Sequence, residues 1–495
     1  MTTERVLAID QGTSGTTCLV VGVDGTIHGR GHAEVAVRFP QDGWVEQDPE
    51  LLWQSVLEAA QAALRAAGGP APVAVGITNQ RETVVVFERD TLRPVAPAIV
   101  WQCRRSAAIC ADHRERGEEP LLRARTGLLL DPYFSATKIE WLLGEDPSLR
   151  ERAERGELCA GTVDTWVVAR LTGGAALVTD AGNASRTLLY DLERGDFDAD
   201  LCAMFGVPRG LLAEVRPSAG RVGLTDPGSF LGMTVPVSGI AGDQQAALFG
   251  QACLAPGMSK NTYGTGSFVL VNTGTTPPRP VDGLLGTVAW RVDGQDTFAL
   301  EGSIFVTGAG LSWLRDGLGL ITTAAEAGPL FDSVPDTHGC FFIPALSGLG
   351  APFWDPHARG ALLGLSAGVN RAHVVRAVVE AMAYRTRDVV EAMEKGSGVR
   401  LAELRVDGGA SVIDGLCQFQ ADLLGLPVTR AATSEMTALG AALLAAVGEG
   451  LIAAPAGVSA AHRAGRRFEP SQLDRPVAAY AAWLDAVSRV RRARA

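Results

Sequence analysis

Two neighbouring runs decide how this chain is read: Val237-Ser-Gly-Ile-Ala-Gly-Asp243-Gln-Gln-Ala-Ala-Leu-Phe-Gly250 and Asn261-Thr-Tyr-Gly-Thr-Gly-Ser-Phe268. In the first, an apolar strand pattern ends at Gly242. The acid Asp243 follows, then two amides and a helical Ala/Leu/Phe pattern. In the second, a strand pattern is broken by Thr262, Gly264, Thr265, Gly266 and Ser267. A turn of glycines and hydroxyls can aim successive backbone N–H groups at a phosphate. An acid at the mouth of one unit is thus followed closely by a phosphate-type loop in the next.

The start of the chain carries the same device. Arg5–Ile9 reads as a strand, Asp10-Gln-Gly-Thr-Ser-Gly-Thr-Thr17 as a turn, and Cys18–Val23 as the returning strand. Gly12 and Gly15, with the hydroxyls of Thr13, Ser14, Thr16 and Thr17, suit a phosphate, and Asp10 is placed to hold Mg²⁺ directly or through water. Taken alone, the segment reads rather as a polar β-turn with an incidental acid, since Gly/Thr turns are common. Two such hairpins at equivalent places predict two related α/β domains facing each other across a cleft, residues 1–249 and 250–495.

Composition excludes several classes. The net charge of −11 and the scattered arginines argue against nucleic acid bound on a basic face. Lysine occurs only at 138, 260 and 395, never after glycine, so no Walker lysine exists. The eight cysteines form no C-x-x-C pair and read as buried free thiols. Met1-Thr-Thr-Glu-Arg5 lacks a signal-peptide pattern, and no apolar run approaches the roughly 20 residues of a membrane helix. The expectation is a cytoplasmic protein with no nucleic-acid partner and no membrane insertion.

Between the two hairpins, Asp48-Pro49 starts a helix that ends at Gly68-Gly69. Val73–Ile77 is a buried strand running into Thr78-Asn-Gln-Arg81-Glu82-Thr83. Arg81 and Glu82 can form a structural ion pair, or can offer a donor fork and an acceptor to a polyhydroxy ligand. Ligands gather at strand ends of open α/β sheets, which favours the second reading. Trp101, at the end of the strand from Ala98, is plain core or a flat wall for a carbon chain. Tyr133 follows a proline in a loop where its hydroxyl could reach a ligand. Asp180–Arg186 reads as a polar loop, and Asp191–Val222 as helical and turn-like. In the second half, Thr297–Glu301 is a strand leading towards Gly308, and Leu404–Val406 is a strand into Asp407-Gly408-Gly409, where a nucleotide could approach the backbone. Arg371–Lys395 is a long helix, and the last forty-five residues, with Trp483 and a basic end, read as a surface helix.

The chemistry is narrowed by absences. The seven histidines lie outside glycine-rich motifs, and no G-x-G-x-x-G or H-R-D occurs. What remains is two phosphate-type turns, a Gly-Gly strand end, and acids at Asp10 and Asp243. These are the parts for phosphoryl transfer to an alcohol without a Walker lysine.

The runs Asp10-Gln-Gly-Thr13, Gly76-Ile-Thr-Asn-Gln-Arg-Glu-Thr83, Ile99-Val-Trp-Gln-Cys-Arg-Arg105, Asp131-Pro-Tyr-Phe-Ser135, Gly161-Thr-Val-Asp-Thr-Trp166, Ser238–Gly250, Asn261–Gly266, Gly348-Leu-Gly-Ala-Pro352 and Val406-Asp-Gly-Gly-Ala410 resemble the FGGY carbohydrate kinases, within the actin-like ATPase superfamily. The resemblance covers nearly the whole chain, and the Gln-Arg-Glu and Gly-Asp-Gln-Gln runs are specific to the glycerol branch. It implies two actin-like (ribonuclease H-like) ATPase domains and the Mg-ATP-dependent phosphorylation of glycerol to sn-glycerol 3-phosphate, by a homo-oligomer (dimer or tetramer). By the same resemblance Asp243 is the general base, and Arg81, Glu82, Tyr133, Asp243 and Gln244 hydrogen-bond the glycerol. Trp101 and Phe268 line its carbon side. Thr13, Ser14 and Gly15 contact the phosphates, while Thr265, Gly308, Ser312 and Gly409 contact the nucleotide from the other domain. Asp10 and Asp243 form the Mg²⁺ shell. A kinase for another polyol or a ketose, and an ATP-gated binding module on the same fold, are the alternatives.

Several positions depart from the family pattern. Thr17 stands where an arginine is usual, Ser312 where glutamine is frequent, and Ile413 where asparagine is frequent. The segment from Asp226 to Thr234 lacks the Gly-Lys-Gly-Gly-x-Arg pattern that binds fructose 1,6-bisphosphate in some members, and the chain lacks the histidine phosphorylated in others. Activity is therefore expected to be unchanged when fructose 1,6-bisphosphate is added to a turnover assay; a clear drop would refute this.

Overall fold

The computed structural model describes residues 4–471 and 475–491. The first three residues, part of the segment read for a signal peptide, lie outside it, as do the last four of the basic end.

Two mixed sheets carry the architecture. The first contains β1 (Arg5–Gln11), β2 (Gly15–Gly22), β3 (Ile27–Glu34), β4 (Ala74–Asn79), β5 (Ala219–Leu224) and β6 (Pro236–Gly242), in the spatial order β5-β6-β4-β1-β2-β3. The second contains β7 (Met258–Tyr263), β8 (Ser267–Gly274), β9 (Leu285–Val292), β10 (Gln295–Ile304), β11 (Glu403–Gly408), β12 (Val428–Ala431) and β13 (Ala464–Phe468), in the order β9-β10-β8-β7-β11-β12-β13. Each sheet is built on a central hairpin, β1/β2 or β7/β8, with further antiparallel strands on one side, β3 in the first sheet and β10 and β9 in the second. On the other side lie two parallel strands and an antiparallel edge strand. The duplicated α/β architecture expected from the two Gly/hydroxyl hairpins is present.

The helices bearing on the site are α1 (Pro49–Ala67), α2 (Ala181–Ala184), α3 (Asp243–Gly250), α4 (Gly308–Ser312), α5 (Arg371–Ser397), α6 (Met436–Gly448) and α7 (Arg475–Val490). At the start of α1 the Asp48 carboxylate accepts from Glu50 N–H at 2.9 Å, and Pro49 takes the first turn, where its missing N–H costs nothing. Its Ala59 and Ala63 backbone lies so close to β3 that a Cβ on Gly31 or Gly29 would come within 2.3 Å of their carbonyl oxygens. One face of the first sheet is thereby closed by α1.

The opposite face of that sheet is covered by α6, from far along the chain. Val6, Ala8, Leu19, Val21, Ala74 and Ala241 form one core with Leu439, Ala442, Leu443 and Ala446. The contact is backbone on backbone: a Cβ at Gly76 would lie 2.1 Å from Ala441 O, and α6 approaches α3 as closely, a Cβ at Gly440 lying 1.8 Å from Ala246 O. Small residues permit this approach, and a packed interior does not yield to an added methyl without backbone shifts.

Three parts of the sequence reading are corrected. Asp180–Arg186 is no loop on the surface. Asp180 caps α2 through Gly182 N and Asn183 N, at 2.9 and 2.8 Å, and Arg186 is wholly buried. Within Asp191–Val222 the chain forms edge strand β5, which the scattered prolines and glycines had disguised. The C-terminal stretch adds β13 and an α7 that is half core: the Trp483 ring is buried and stacks on Tyr384, with centroids 5.0 Å apart. No helix of the described residues is long and apolar enough to cross a membrane.

The glycine contacts set a test. Gly440→Ala should lower stability by about 3 kcal/mol or more, because the opposing atoms are backbone. Gly144→Ala, in a helix with nothing within 4 Å of the added methyl, should raise it by about 0.5–1 kcal/mol. Thermal unfolding midpoints of the two variants, moving in opposite directions, are the expected result.

Candidate active site

The strand ends bring the first group together. In register, Asp10 lies opposite Thr78, and Thr78 opposite Ala241, so β1, β4 and β6 finish side by side. Their carboxyl ends carry the Gly12–Gly15 turn, Gln80-Arg81-Glu82 and Asp243. Gly12 N–H donates to Gly15 C=O at 2.9 Å and closes the turn. Thr13 Oγ1 donates to Gln80 Oε1 at 3.3 Å and accepts from Trp101 Nε1 at 2.9 Å, while Ser14 is exposed.

Asp243 opens α3, directly after Gly242. A Cβ on Gly242 would lie 2.7 Å from the Arg81 side chain, so glycine is what lets Arg81 reach the acid. Asp243 Oδ1 accepts from Gln244 N–H at 2.7 Å and lies 3.1 Å from Arg81 Nε. Its Oδ2 accepts from Gln244 Nε2 at 3.1 Å, and the side chain is 31% exposed. One oxygen is therefore anchored by two donors and the other by one, on a side chain that is partly exposed.

Arg81 belongs to a buried charge cluster. Its Nη1 and Nη2 both go to the Glu301 carboxylate, the Nη2 bond being 3.3 Å. Arg186 joins Glu301 through Nη2 at 2.9 Å and Glu82 through Nε at 2.7 Å. Burial works to raise the Glu301 carboxyl, but Arg186 and Arg81 more than reverse this and hold it down at about 2. Glu82, in contrast, is pushed upward by burial against the pull of the same two arginines. Glu82 also has a φ of 61°, with Thr83 N–H bonded to Arg81 C=O at 2.7 Å, a γ-turn of the strained hand. The Tyr133 and Trp101 rings meet edge-on at 5.7 Å, and Arg81 lies over the Phe268 ring at 5.6 Å. Arg81, Glu82, Trp101, Tyr133, Asp243, Gln244 and Phe268 are thus linked by short chains of contact.

The second turn is clipped to the start of α4. Thr307 N–H and Ala309 N–H both donate to Thr265 C=O at 3.0 Å, and Gly308 N–H donates to Gly264 C=O at 3.0 Å. A Cβ on Gly308 would lie 2.5 Å from Gly264 O. Gly408 pairs with Tyr263 across β7 and β11, which places Gly409 beside this turn, exposed and with open space around it. Thr265 and Ser312 are likewise exposed, whereas Ile413 is buried.

Asp10 faces Asp243 and Glu435. Burial first, then these two like charges, push its carboxyl up to about 8. No group of three or more His, Cys, Asp or Glu suited to a metal occurs among the described residues. A magnesium ion needs fewer: one or two carboxylates, with water and phosphate filling the rest of its shell. Two acids crowding one another at the strand ends fit such an ion.

Three residues of the cluster had no signal as site residues in the sequence. Glu301 was read only as the end of a strand and Arg186 as part of a loop. Lys260 was noted only for not being a Walker lysine. Lys260 is fully buried in β7 and donates to Gln244 Oε1 and, at 3.0 Å, to Thr262 Oγ1. Burial lowers its amine to about 8. Its bond to Oε1 fixes the Gln244 amide so that Nε2 faces Asp243.

Residues 5–250 match the family model described as the FGGY family of carbohydrate kinases, N-terminal domain, and residues 259–449 match the C-terminal domain of the same family. The chain is 50% identical over 494 residues to a glycerol kinase of Carboxydothermus hydrogenoformans, covering 99% of each. It is 52% identical over 487 residues to a glycerol kinase of Dechloromonas aromatica, covering 98% of this chain and 97% of that one. Among solved structures it is similar to Plasmodium falciparum glycerol kinase with ADP, at a TM-score of 0.92 and 31% identity, over 99% of this chain and 98% of that one. The expected actin-like, ribonuclease H-like architecture accords with that likeness.

The charge cluster yields a test of its own. Glu301→Gln leaves two buried arginines with Glu82 and the partly exposed Asp243 as their remaining counter-charges, and should cost about 3 kcal/mol or more at neutral pH. The Glu301 value of about 2 lies below the ordinary 4.5, so its contribution is complete above 4.5 and fades as pH falls towards 2. The gap in unfolding midpoint between wild type and variant should shrink over that acid range.

Proposed function

The chain belongs to the FGGY family of carbohydrate kinases, and on that premise we propose that it transfers the terminal phosphoryl group of ATP to glycerol, giving sn-glycerol 3-phosphate and ADP. The observation that carries the assignment of the base is the asymmetric, partly exposed Asp243 carboxylate, one oxygen held by Arg81 and the Gln244 N–H, the other by Gln244 Nε2 alone.

In this reading glycerol lies with its carbons against Trp101 and Phe268. Its hydroxyls meet Arg81, Glu82, Tyr133 and Gln244. Asp243 Oδ2 accepts the proton of the attacking hydroxyl as that oxygen bonds to the terminal phosphorus, and the bond from phosphorus to the ADP oxygen breaks. Thr13, Ser14 and Gly15 position the phosphates from one side. Thr265, Gly308, Ser312 and Gly409 hold the nucleotide from the other, so the reacting atoms are aligned before the step. Asp10 and Asp243 would hold Mg²⁺, which when bound neutralises phosphate charge. The proposal assigns the polyol and first phosphate loop to residues 1–249 and the nucleotide to 250–495. The peptide between α3 and β7 serves as the hinge on which the two close to exclude water. A cytoplasmic homo-oligomer, dimer or tetramer, completes the reading.

A coupled ADP-release assay tests it. Wild-type protein should release ADP when glycerol and Mg-ATP are both present. Asp243→Asn should lose roughly 10²–10⁴-fold in turnover. Near-normal turnover in the variant would remove Asp243 as the base, and absence of glycerol-dependent ADP release from the wild type would overturn the assignment of the reaction.

A further inference from the structure

The Gly12–Gly15 turn contains no lysine or arginine, and its hydroxyls and N–H groups are neutral. The nearest guanidinium on the neighbouring strand, that of Arg30, is paired with Glu435 at 3.0 Å. One further donor stands over the turn. Across the first sheet the register places Asp10 opposite Thr17, and Thr17 opposite His32, so these three side chains share one face. The other face of β3 is occupied: Gly29 and Gly31 lie against the backbone of α1. Arg30, two residues from His32 and on its face, reaches Glu435, which in turn lies within electrostatic range of Asp10. The His32 face is therefore the face of the site.

The ring itself is fixed. Thr17 Oγ1 lies 3.0 Å from His32 Nδ1. A Cβ built on Gly15 would lie 2.8 Å from His32 Cε1 and 3.1 Å from Nε2, so the imidazole edge rests on the phosphate-type turn. His32 is exposed, and Nε2 has no hydrogen-bond partner among the described residues. A Thr17 hydroxyl donating to Nδ1 selects the tautomer with its proton on Nε2, the nitrogen that lies against Gly15.

We propose that His32 is a nucleotide-phosphate ligand, its Nε2–H donating to a phosphate oxygen of ATP held over Gly12–Gly15, with Thr17 as the positioning residue that sets the tautomer. The proposal rests on the ATP-dependent reading above and adds a residue that the glycine turns did not point to. Gly15 acquires a second reason to lack a side chain: any Cβ would displace the ring.

The experiment is direct binding of ATP, ADP and adenosine to the full chain by calorimetry, without turnover. A hydrogen bond to a charged phosphate is of the stronger kind, so His32→Ala should weaken ATP or ADP about 10-fold or more and leave adenosine unchanged. His32→Gln, which keeps an N–H donor, should recover most of the loss. Thr17→Val should weaken ATP less than His32→Ala does. Unchanged ATP and ADP affinity in His32→Ala overturns the proposal, as does an equal loss for adenosine, which would mark damage to the fold. Wild-type protein that binds ATP but does not phosphorylate glycerol would sink the assigned reaction and leave His32 to be judged on the binding series. Wild type that binds no ATP would sink both.

Discussion

The Glu301 carboxylate is the group on which the site depends. It comes from the second sheet, yet both its partners, Arg81 and Arg186, come from the first half of the chain. Each arginine also touches an acid of its own half, Asp243 or Glu82. Two guanidinium groups and two glutamates thus lie in one dry volume, with no net charge among the four. Such a cluster is weak evidence for added stability, because desolvating four ions offsets most of their attraction. Its value lies in geometry: Arg81 has its fork committed to Glu301, which leaves Nε to hold one oxygen of Asp243. Lys260 does the same for Gln244 from β7. Asp243 and Gln244 are therefore oriented by residues of the second sheet.

Close backbone packing completes the arrangement. Gly76 and Gly440 bring α6 onto the first sheet and onto α3 at distances that exclude a side chain. Gly242 lets Arg81 pass and Gly308 lets the second turn lie against α4. Elsewhere the glycines open space, as at Gly409. The chain uses the same residue type to admit a neighbour in one place and to leave open space in the other.

This division explains what was legible in the sequence. The acids Asp10 and Asp243 and the two glycine turns announce themselves, because strand patterns, glycines and hydroxyls are local signals. The repeated sheet followed from finding the turn twice. Glu301 did not announce itself, since its partner Arg81 lies 220 residues away and a glutamate in a strand looks like a solvated one. Arg186 was hidden for a related reason: a polar run with no apolar period resembles a loop, and only the acceptors Glu82 and Glu301 make its burial tolerable. Edge strand β5 and the half-buried α7 were missed because a partly exposed element carries a diluted pattern. The polyol roles came from resemblance; the sheet places those residues together, and spacing alone could not have done so.

The covering of the first sheet by α6 has a consequence for how the protein is made. Val6, Ala8, Ala74 and Ala241 are all translated before α6 exists, and about two hundred residues separate α3 from the end of α6. At ordinary ribosomal speed that is an interval of roughly 10–40 s. Throughout it, one apolar face of a nearly complete sheet has no native cover. The nascent chain must be shielded there, by its own transient collapse or by a chaperone, until the thirteen residues of α6 emerge and dock. A protein whose charge cluster is divided between two sheets is in this respect a single unit of biosynthesis, its first sheet covered only when α6 has been made.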